Sequence, residues 1–312
     1  MNILITGAAG FIGFAIADRL SHSHDVVGID NFNDYYNPSL KRDRAKQLSK
    51  TILYEKDIAV PQNLVNVFDK HRFDCIIHLA AQAGVRYSID NPWAYERANL
   101  LGTLNVLEFA AKHKVPKVIY ASSSSVYGGN TKLPFTETDN VDSPISIYAA
   151  TKKANELMAH VYHNMYGLKT IGLRFFTVYG PWGRPDMAAY KWAELMSQGR
   201  PINVYNHGKM QRDFTYIDDI VDGIESCVGA DLNHEVFNLG NDRTVELEYY
   251  IELLEGCLGI KAKRNYMDMQ PGDVKKTWAD ITKARKLLNY NPTTSIEKGL
   301  GRFVEWYKEY KK

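Results

Sequence analysis

Asn2-Ile3-Leu4-Ile5-Thr6-Gly7-Ala8-Ala9-Gly10-Phe11-Ile12-Gly13 opens the chain and carries the reading of its fold. Asn2 to Thr6 is a short apolar run of strand character, and the glycines follow it without a spacer. Ile12 to Leu20 then takes up a helical period. The spacing G-x-x-G-x-x-G suits a turn whose backbone approaches a pyrophosphate, with the next helix offering unpaired N–H groups and a positive dipole end. A glycine triplet alone specifies only a tight turn, so the flanking chain has to support the dinucleotide reading.

It does so in order. Short apolar runs recur at Asp25 to Asp30, Thr51 to Lys56, Cys75 to Leu79, Lys117 to Ala121 and Lys169 to Leu173. Helical patterns lie among them, notably Leu100 to Ala111 and Tyr148 to Met165. Runs nearly continuous in Val, Ile and Leu are expected where helices cover both faces of a parallel sheet. The fold class is therefore α/β, a doubly wound parallel sheet with a smaller C-terminal substrate-binding lobe. Residues 1–174 form the large lobe, to which the chain returns at about 211–240, and 175–312 form mainly the smaller one. The boundary is drawn where loops such as Gly180-Pro181-Trp182-Gly183-Arg184-Pro185 and Gln270-Pro271-Gly272-Asp273 appear. Helical segments at Val245 to Leu258 and Ile281 to Leu288 follow.

Asp30 ends the second run, where an acid hydrogen-bonds ribose hydroxyls and repels a 2′-phosphate, so the cofactor expected is NAD rather than NADP. Asp57 follows the third run, and Leu79-Ala80-Ala81-Gln82 the fourth, with small residues that let a cofactor lie against the backbone. The cofactor wall expected is Gly7, Gly10, Phe11, Ile12, Gly13, Asp30, Asn31, Asp57 and Ile58, with Leu79, Ala80, Ala81, Gln82 and Asn99.

Tyr148 and Lys152 stand one helical turn apart and project from one face. An ammonium beside the phenol would lower its pKa and make Tyr148 a general base, so the pair also belongs to the cofactor site. Ahead of them, Ser122-Ser123-Ser124-Ser125 follows the fifth run and brings hydroxyls to the same sheet edge.

Composition narrows the function. The chain has 312 residues, 45% apolar and 24% charged, with a formal net charge of +2. Its basic residues are scattered, which argues against a nucleic-acid binder. Cys75, Cys227 and Cys257 are too far apart for a disulfide framework or thiolate metal site, and a reducing, cytoplasmic setting is expected. The first strand leaves no room for a leader, and no stretch reaches the roughly 18 apolar residues of a membrane span, so a soluble protein is expected. No metal constellation is visible.

Longer motifs carry a resemblance. Asp30-Asn31-Phe32-Asn33-Asp34-Tyr35-Tyr36, Ala81-Gln82-Ala83-Gly84-Val85-Arg86-Tyr87-Ser88, and Arg174 through Met187 (RFFTVYGPWGRPDM) are the strongest. Gln211-Arg212-Asp213-Phe214-Thr215-Tyr216 and Pro271-Gly272-Asp273-Val274 add to them. Over nearly its whole length the chain resembles the extended short-chain dehydrogenases/reductases that process nucleotide sugars, most nearly the glucuronate 4-epimerases. The resemblance implies a Rossmann sheet, with Ser123, Tyr148 and Lys152 as catalytic residues. It places the nucleotide diphosphate on Arg212 and the loop holding Gln270 and Asp273. It also implies a homodimer joined through the helices near Leu100 to Ala111 and Tyr148 to Met165, and a role in polysaccharide biosynthesis.

Sibling chemistries diverge after a shared 4-keto sugar. The dehydratase pattern places Asp-Glu directly after the catalytic Ser/Thr, and the glucuronate decarboxylase pattern places a Glu two positions after it. Ser124 and Ser125 stand there instead, and serine is too weak an acid for that work. Ser124, Ser125 and Thr177 suit hydrogen bonds to a substrate carboxylate, with Arg86 or Arg184 adding a charged contact. The expected activity is NAD-dependent 4-epimerisation of UDP-glucuronate to UDP-galacturonate. The alternatives are UDP-glucose or UDP-N-acetylglucosamine as substrate and, more remotely, a non-catalytic dinucleotide sensor.

Overall fold

The computed structural model describes residues 1–312. Seven parallel strands form its central sheet: β1 (Asn2–Thr6), β2 (Asp25–Asp30), β3 (Thr51–Glu55), β4 (Cys75–His78), β5 (Lys117–Ser123), β6 (Lys169–Phe175) and β7 (His234–Leu239). Their spatial order is β7-β6-β5-β4-β1-β2-β3. The winding therefore reverses between β1 and β4, and a crevice opens above the carboxyl ends of those strands.

Alternation along each strand builds two cores. Ile3, Ile5, Cys75, Ile77, Ile119 and Ile171 face the helices Phe11–Leu20 and Ile217–Gly229 in one cluster. Leu4, Val27, Ile29, Ile76, Val118 and Tyr120 face Pro61–Phe68, Gly102–Lys112 and Ile147–Tyr166 in the other. Successive side chains point to opposite faces, so a strand buried on both sides must be apolar throughout. Cys75–His78 is buried at all four positions.

Several elements depart from the sequence expectation, two of them beside the crevice. β5 continues past Ala121 to Ser123, pairing Ser122 with Arg174 and Ser123 with Phe175. The helix expected from Leu100 is preceded by a π-helical turn, Glu96–Leu101, which runs into the α-helix Gly102–Lys112. π-turns of this kind often re-aim side chains beside functional sites.

β7, which begins on polar His234-Glu235, closes the sheet edge by pairing with β6. Segments between β6 and β7, and after β7, add Thr177, Arg184, Met187, Arg212 and Asp273 to the wall of the crevice. Small strand pairs brace these segments: Thr177–Tyr179 with Phe214–Tyr216, Ile202–Tyr205 with Arg264–Met267, and Gln211–Arg212 with Val245–Glu246. The last helix, Ile296–Tyr310, starts at Ser295, whose hydroxyl accepts from the Lys298 amide. It buries Ile296, Leu300, Phe303 and Tyr307, the stripe that a 3.6-residue period predicts. No helix is long and apolar enough to cross a membrane.

Candidate active site

One large cleft lies over the strand ends, and most of the residues singled out in the sequence line it. At one end is the glycine turn. Gly7 has φ +74°, and a Cβ there would lie 2.7 Å from the Ala80 nitrogen. A Cβ on Gly13 would stand 1.9 Å from the Gly7 carbonyl oxygen, so only glycine lets the helix sit this close to the strand. Gly10 caps that helix without a side chain, leaving its first N–H groups open toward the cleft. This cradle fits a diphosphate.

Asp30 is held rigidly at the end of β2. Its Oδ2 accepts from the Ala9 amide at 3.1 Å and its Oδ1 from the Phe32 amide at 2.8 Å. Asn31 lies beside it on the cleft wall, as do Phe11 and Ile12 of the helix and Ile58, Leu79, Ala80 and Ala81. Asp57 also lines the cleft and pairs with Arg97 at 2.9 Å.

Asn99 does not reach the cleft. It lies behind the wall, 1% exposed, where its Oδ1 accepts from the Gln82 amide and its Nδ2 donates to the Gln82 carbonyl. The π-turn aims it there, and its bonds brace the loop at Gln82. Thr6 similarly supports Ala80, accepting its amide at 3.2 Å while bonding to Nδ1 of His78. Burial drives the His78 pKa down to about 3, with Lys152 adding to the effect, so this imidazole is a neutral strut.

Tyr148 and Lys152 sit near the start of the helix Ile147–Tyr166. Ser146 caps that helix by accepting the Ala149 amide at 3.1 Å, and Gly167 ends it in the left-handed conformation. The expected ammonium–phenol contact is absent. Lys152 Nζ donates to the Ala121 carbonyl at 2.8 Å, and burial pushes its pKa down to about 8. Burial raises the Tyr148 phenol above its ordinary value, opposed by the nearby Ser123 hydroxyl and by the charge of Arg184. The acidifying partners of the phenol are thus Ser123 and Arg184.

The serine run divides by strand alternation. Ser122 points under the sheet and donates to Glu156 at 2.6 Å, and Glu156 is bonded through both oxygens to buried Arg174. Ser123 caps the following turn, accepting from the amide and hydroxyl of Ser125 at 3.1 and 2.9 Å. Ser123, Ser124, Ser125 and Thr177 share the cleft wall with Tyr148.

The two candidate arginines separate. Arg184 lines the cleft and is bonded to Asp186, whose Oδ2 also accepts from the Tyr35 hydroxyl at 3.2 Å. Burial disfavours the Arg184 charge, but Asp186 overcomes it and holds the pKa above its usual value. Arg86 lies off the wall. It pairs with Asp273 at 2.6 Å and stacks over Tyr205, so the carboxylate contact considered for it is not available in this arrangement. The reason is simple: Asp273 satisfies it at the cleft mouth. Arg212 lines the cleft, donates to the carbonyls of Gln211 and Lys275, and is lowered to about 10 by burial. Asp273 lines the mouth, whereas Gln270 does not. The cleft-lining carboxylates are Asp30, Asp57 and Asp273, none of them next to Ser123 in the chain.

Sequence reasoning missed Lys41, which lines the cleft and donates to the backbone and side-chain oxygens of Asn33. It also passed over Asp186 as the partner of Arg184. Neither has a local signature, since Lys41 lies in a run of basic residues and Asp186 acts through a loop.

Comparison with known proteins finds one family. The profile of the NAD dependent epimerase/dehydratase family matches residues 3–240. UDP-glucuronate 4-epimerase 1 of Arabidopsis thaliana is 46% identical over 99% of this chain and 77% of its own. UDP-glucuronate 4-epimerase of Thermodesulfobacterium geofontis is 45% identical over 98% of this chain and 96% of its own. The crystal structure of a Bacillus cereus UDP-glucuronic acid 4-epimerase, in complex with UDP-glucuronic acid and NAD, superposes with a TM-score of 0.94. It is 36% identical and covers 99% of this chain and 100% of its own.

Proposed function

The chain belongs to the NAD dependent epimerase/dehydratase family, and from that footing we propose how its cleft turns UDP-glucuronate into UDP-galacturonate and back. The protein is an NAD-dependent UDP-glucuronate 4-epimerase, an isomerase. The observation that carries the substrate reading is the wall around Tyr148: four hydroxyls, from Ser123, Ser124, Ser125 and Thr177, and no carboxylate following Ser123.

NAD, when bound, supplies the acceptor and donor of the C4 hydride. The glycine turn and the helix behind it hold the diphosphate, and Asp30 takes the ribose hydroxyls. Tyr148 removes the proton from the sugar 4-hydroxyl while Ser123 donates to the same oxygen. Lys152, fixed on the Ala121 carbonyl, keeps positive charge near the site. Arg212 and the loop at Asp273 grip the nucleotide diphosphate. The 4-keto sugar then presents its other face and recovers hydride and proton, with inversion at C4.

That ketone is a β-keto acid and loses carbon dioxide when its C5–carboxylate bond aligns with the carbonyl π system. Ser124, Ser125 and Thr177 donate to the carboxylate and hold it out of alignment, and Arg184 adds charge. Asp186 tempers that charge.

Exposed Leu104 and the stripe Leu157, Val161, Met165 support a homodimer through the helices Gly102–Lys112 and Ile147–Tyr166. Three unpaired cysteines support a reducing, cytoplasmic setting. A uronate donor for polysaccharide synthesis is the product class that follows.

Initial rates with UDP-glucuronate, UDP-glucose and UDP-N-acetylglucosamine test the substrate assignment. The acidic sugar should be faster by at least about a hundredfold, the worth of two charge-assisted hydrogen bonds. Comparable rates on a neutral sugar would overturn it.

A further inference from the structure

Arg44, on the helix Ser39–Gln47, is entirely shielded from solvent, yet every hydrogen bond it makes goes to a neutral oxygen. Its Nη1 donates to the Ala9 carbonyl at 3.0 Å and to the Tyr36 hydroxyl at 2.8 Å. Its Nε and Nη2 donate to the Trp182 carbonyl at 3.1 and 2.6 Å, and Nη2 also reaches the Gly183 carbonyl at 3.3 Å. A buried guanidinium without a counter-ion is costly, and a fold that keeps one gains something from it.

What it joins is informative. Ala9 belongs to the glycine turn, and its backbone is held at both polar groups: the N–H by Asp30, the carbonyl by Arg44. Trp182 and Gly183 immediately precede Arg184, which lines the cleft together with Tyr148. Trp182 has φ +61°, a conformation rare for a non-glycine residue, with its ring wedged against Phe14 and Trp306. One planar cation therefore ties the turn that receives the dinucleotide to the loop that presents Arg184.

We propose that Arg44 couples the two binding events, so that a dinucleotide on the glycine turn sets the loop that places Arg184 against the sugar. The claim rests on the functional reading above and extends it to a positioning residue outside the cleft. The diphosphate of the cofactor brings negative charge to the turn behind which Arg44 lies, and the fork transmits that constraint to Trp182 and Gly183. By reciprocity the sugar tightens the cofactor by the same factor. Lysine keeps the charge but has no fork to span both loops.

The test uses full-length protein in the Tyr148→Phe background, where turnover should be slowed by about 10³. Affinities for UDP, UDP-glucuronate and UDP-glucose are measured by calorimetry with and without saturating NAD. Preference for the acidic sugar in the parent protein reports on the functional reading. The inference is read separately, as the change in NAD–sugar coupling for whichever sugar binds. Arg44→Lys should reduce that coupling at least about fivefold while UDP affinity stays within about twofold. Coupling unchanged by the substitution overturns the proposal, and so does a fall in UDP affinity equal to that for the sugar, which would mean general loosening. Arg44→Gln, judged by the same criteria, replaces the lysine variant if that protein does not fold.

Discussion

Lys152 directs its ammonium at the backbone carbonyl of Ala121, 2.8 Å away, and not at the phenol of Tyr148 one helical turn before it. The lysine therefore acts on the site as a buried charge with a pKa brought to about 8, while Ser123 and Arg184 are what favour phenolate. Tyr148→Phe should lower kcat by about 10³ or more. Ser123→Ala should move the acid limb of the kcat/KM profile to higher pH, because it removes a hydroxyl that lowers the phenol's pKa. A pH profile with an unmoved acid limb would contradict the role given to Ser123.

The hydroxyl wall makes a prediction about product. Replacing Ser124, Ser125 and Thr177 by Ala, singly and together, should raise KM for UDP-glucuronate by about tenfold per charge-assisted bond lost. The triple variant should release carbon dioxide and a UDP-pentose, detected by NMR. If no variant yields a pentose, the carboxylate is restrained by something else.

Asp30 holds the turn as well as facing the ribose. Asp30→Asn should weaken NAD binding by roughly tenfold or more, since it disturbs charge-assisted bonds at the Ala9 and Phe32 amides. Fluorescence titration with NAD and NADP would measure this, and the preference for NAD should narrow because the charge that repels a 2′-phosphate is gone.

Asp213 is fully buried, and burial raises its pKa to about 7 against the hydrogen bonds from Asn241, Ala279 and Thr215. The folded state thus prefers the protonated acid. The stability this confers is complete below the unfolded value near 3.8 and is lost as pH rises through about 7. Measured against Asp213→Asn, the native protein should lose about 2 kcal/mol of relative stability between pH 5 and pH 8. Denaturant melts of both proteins at the two pH values check the sign.

Much of this architecture was legible because its signals are local. Six sheet strands announce themselves as apolar runs, and the glycine turn sits directly between β1 and its helix. β7 was not marked as a strand, since His234-Glu235 opens it with polar residues and its partner β6 lies some sixty residues earlier. The site was legible where motifs are contiguous, as in the serine run and Tyr148/Lys152. It was illegible where contacts cross the fold. Nothing near Lys152 in the chain says that Ala121 will take its ammonium, and nothing near Arg86 says that Asp273 will claim its charge. Arg44 lies in a run of basic residues and gives no sign that Trp182 and Ala9 will enclose it. Such partners are chosen by the packing of elements, which composition and period do not encode.

The central claim is that hydride leaves C4 of the sugar and returns to the same carbon on the other face, with Tyr148 moving only the hydroxyl proton. UDP-glucuronate deuterated at C4, incubated with the purified protein and no added reductant, tests it by NMR and mass spectrometry. UDP-galacturonate that keeps the deuterium at C4 is the expected product. Label washed out into water, or a UDP-pentose as the main product of the native protein, would contradict the account.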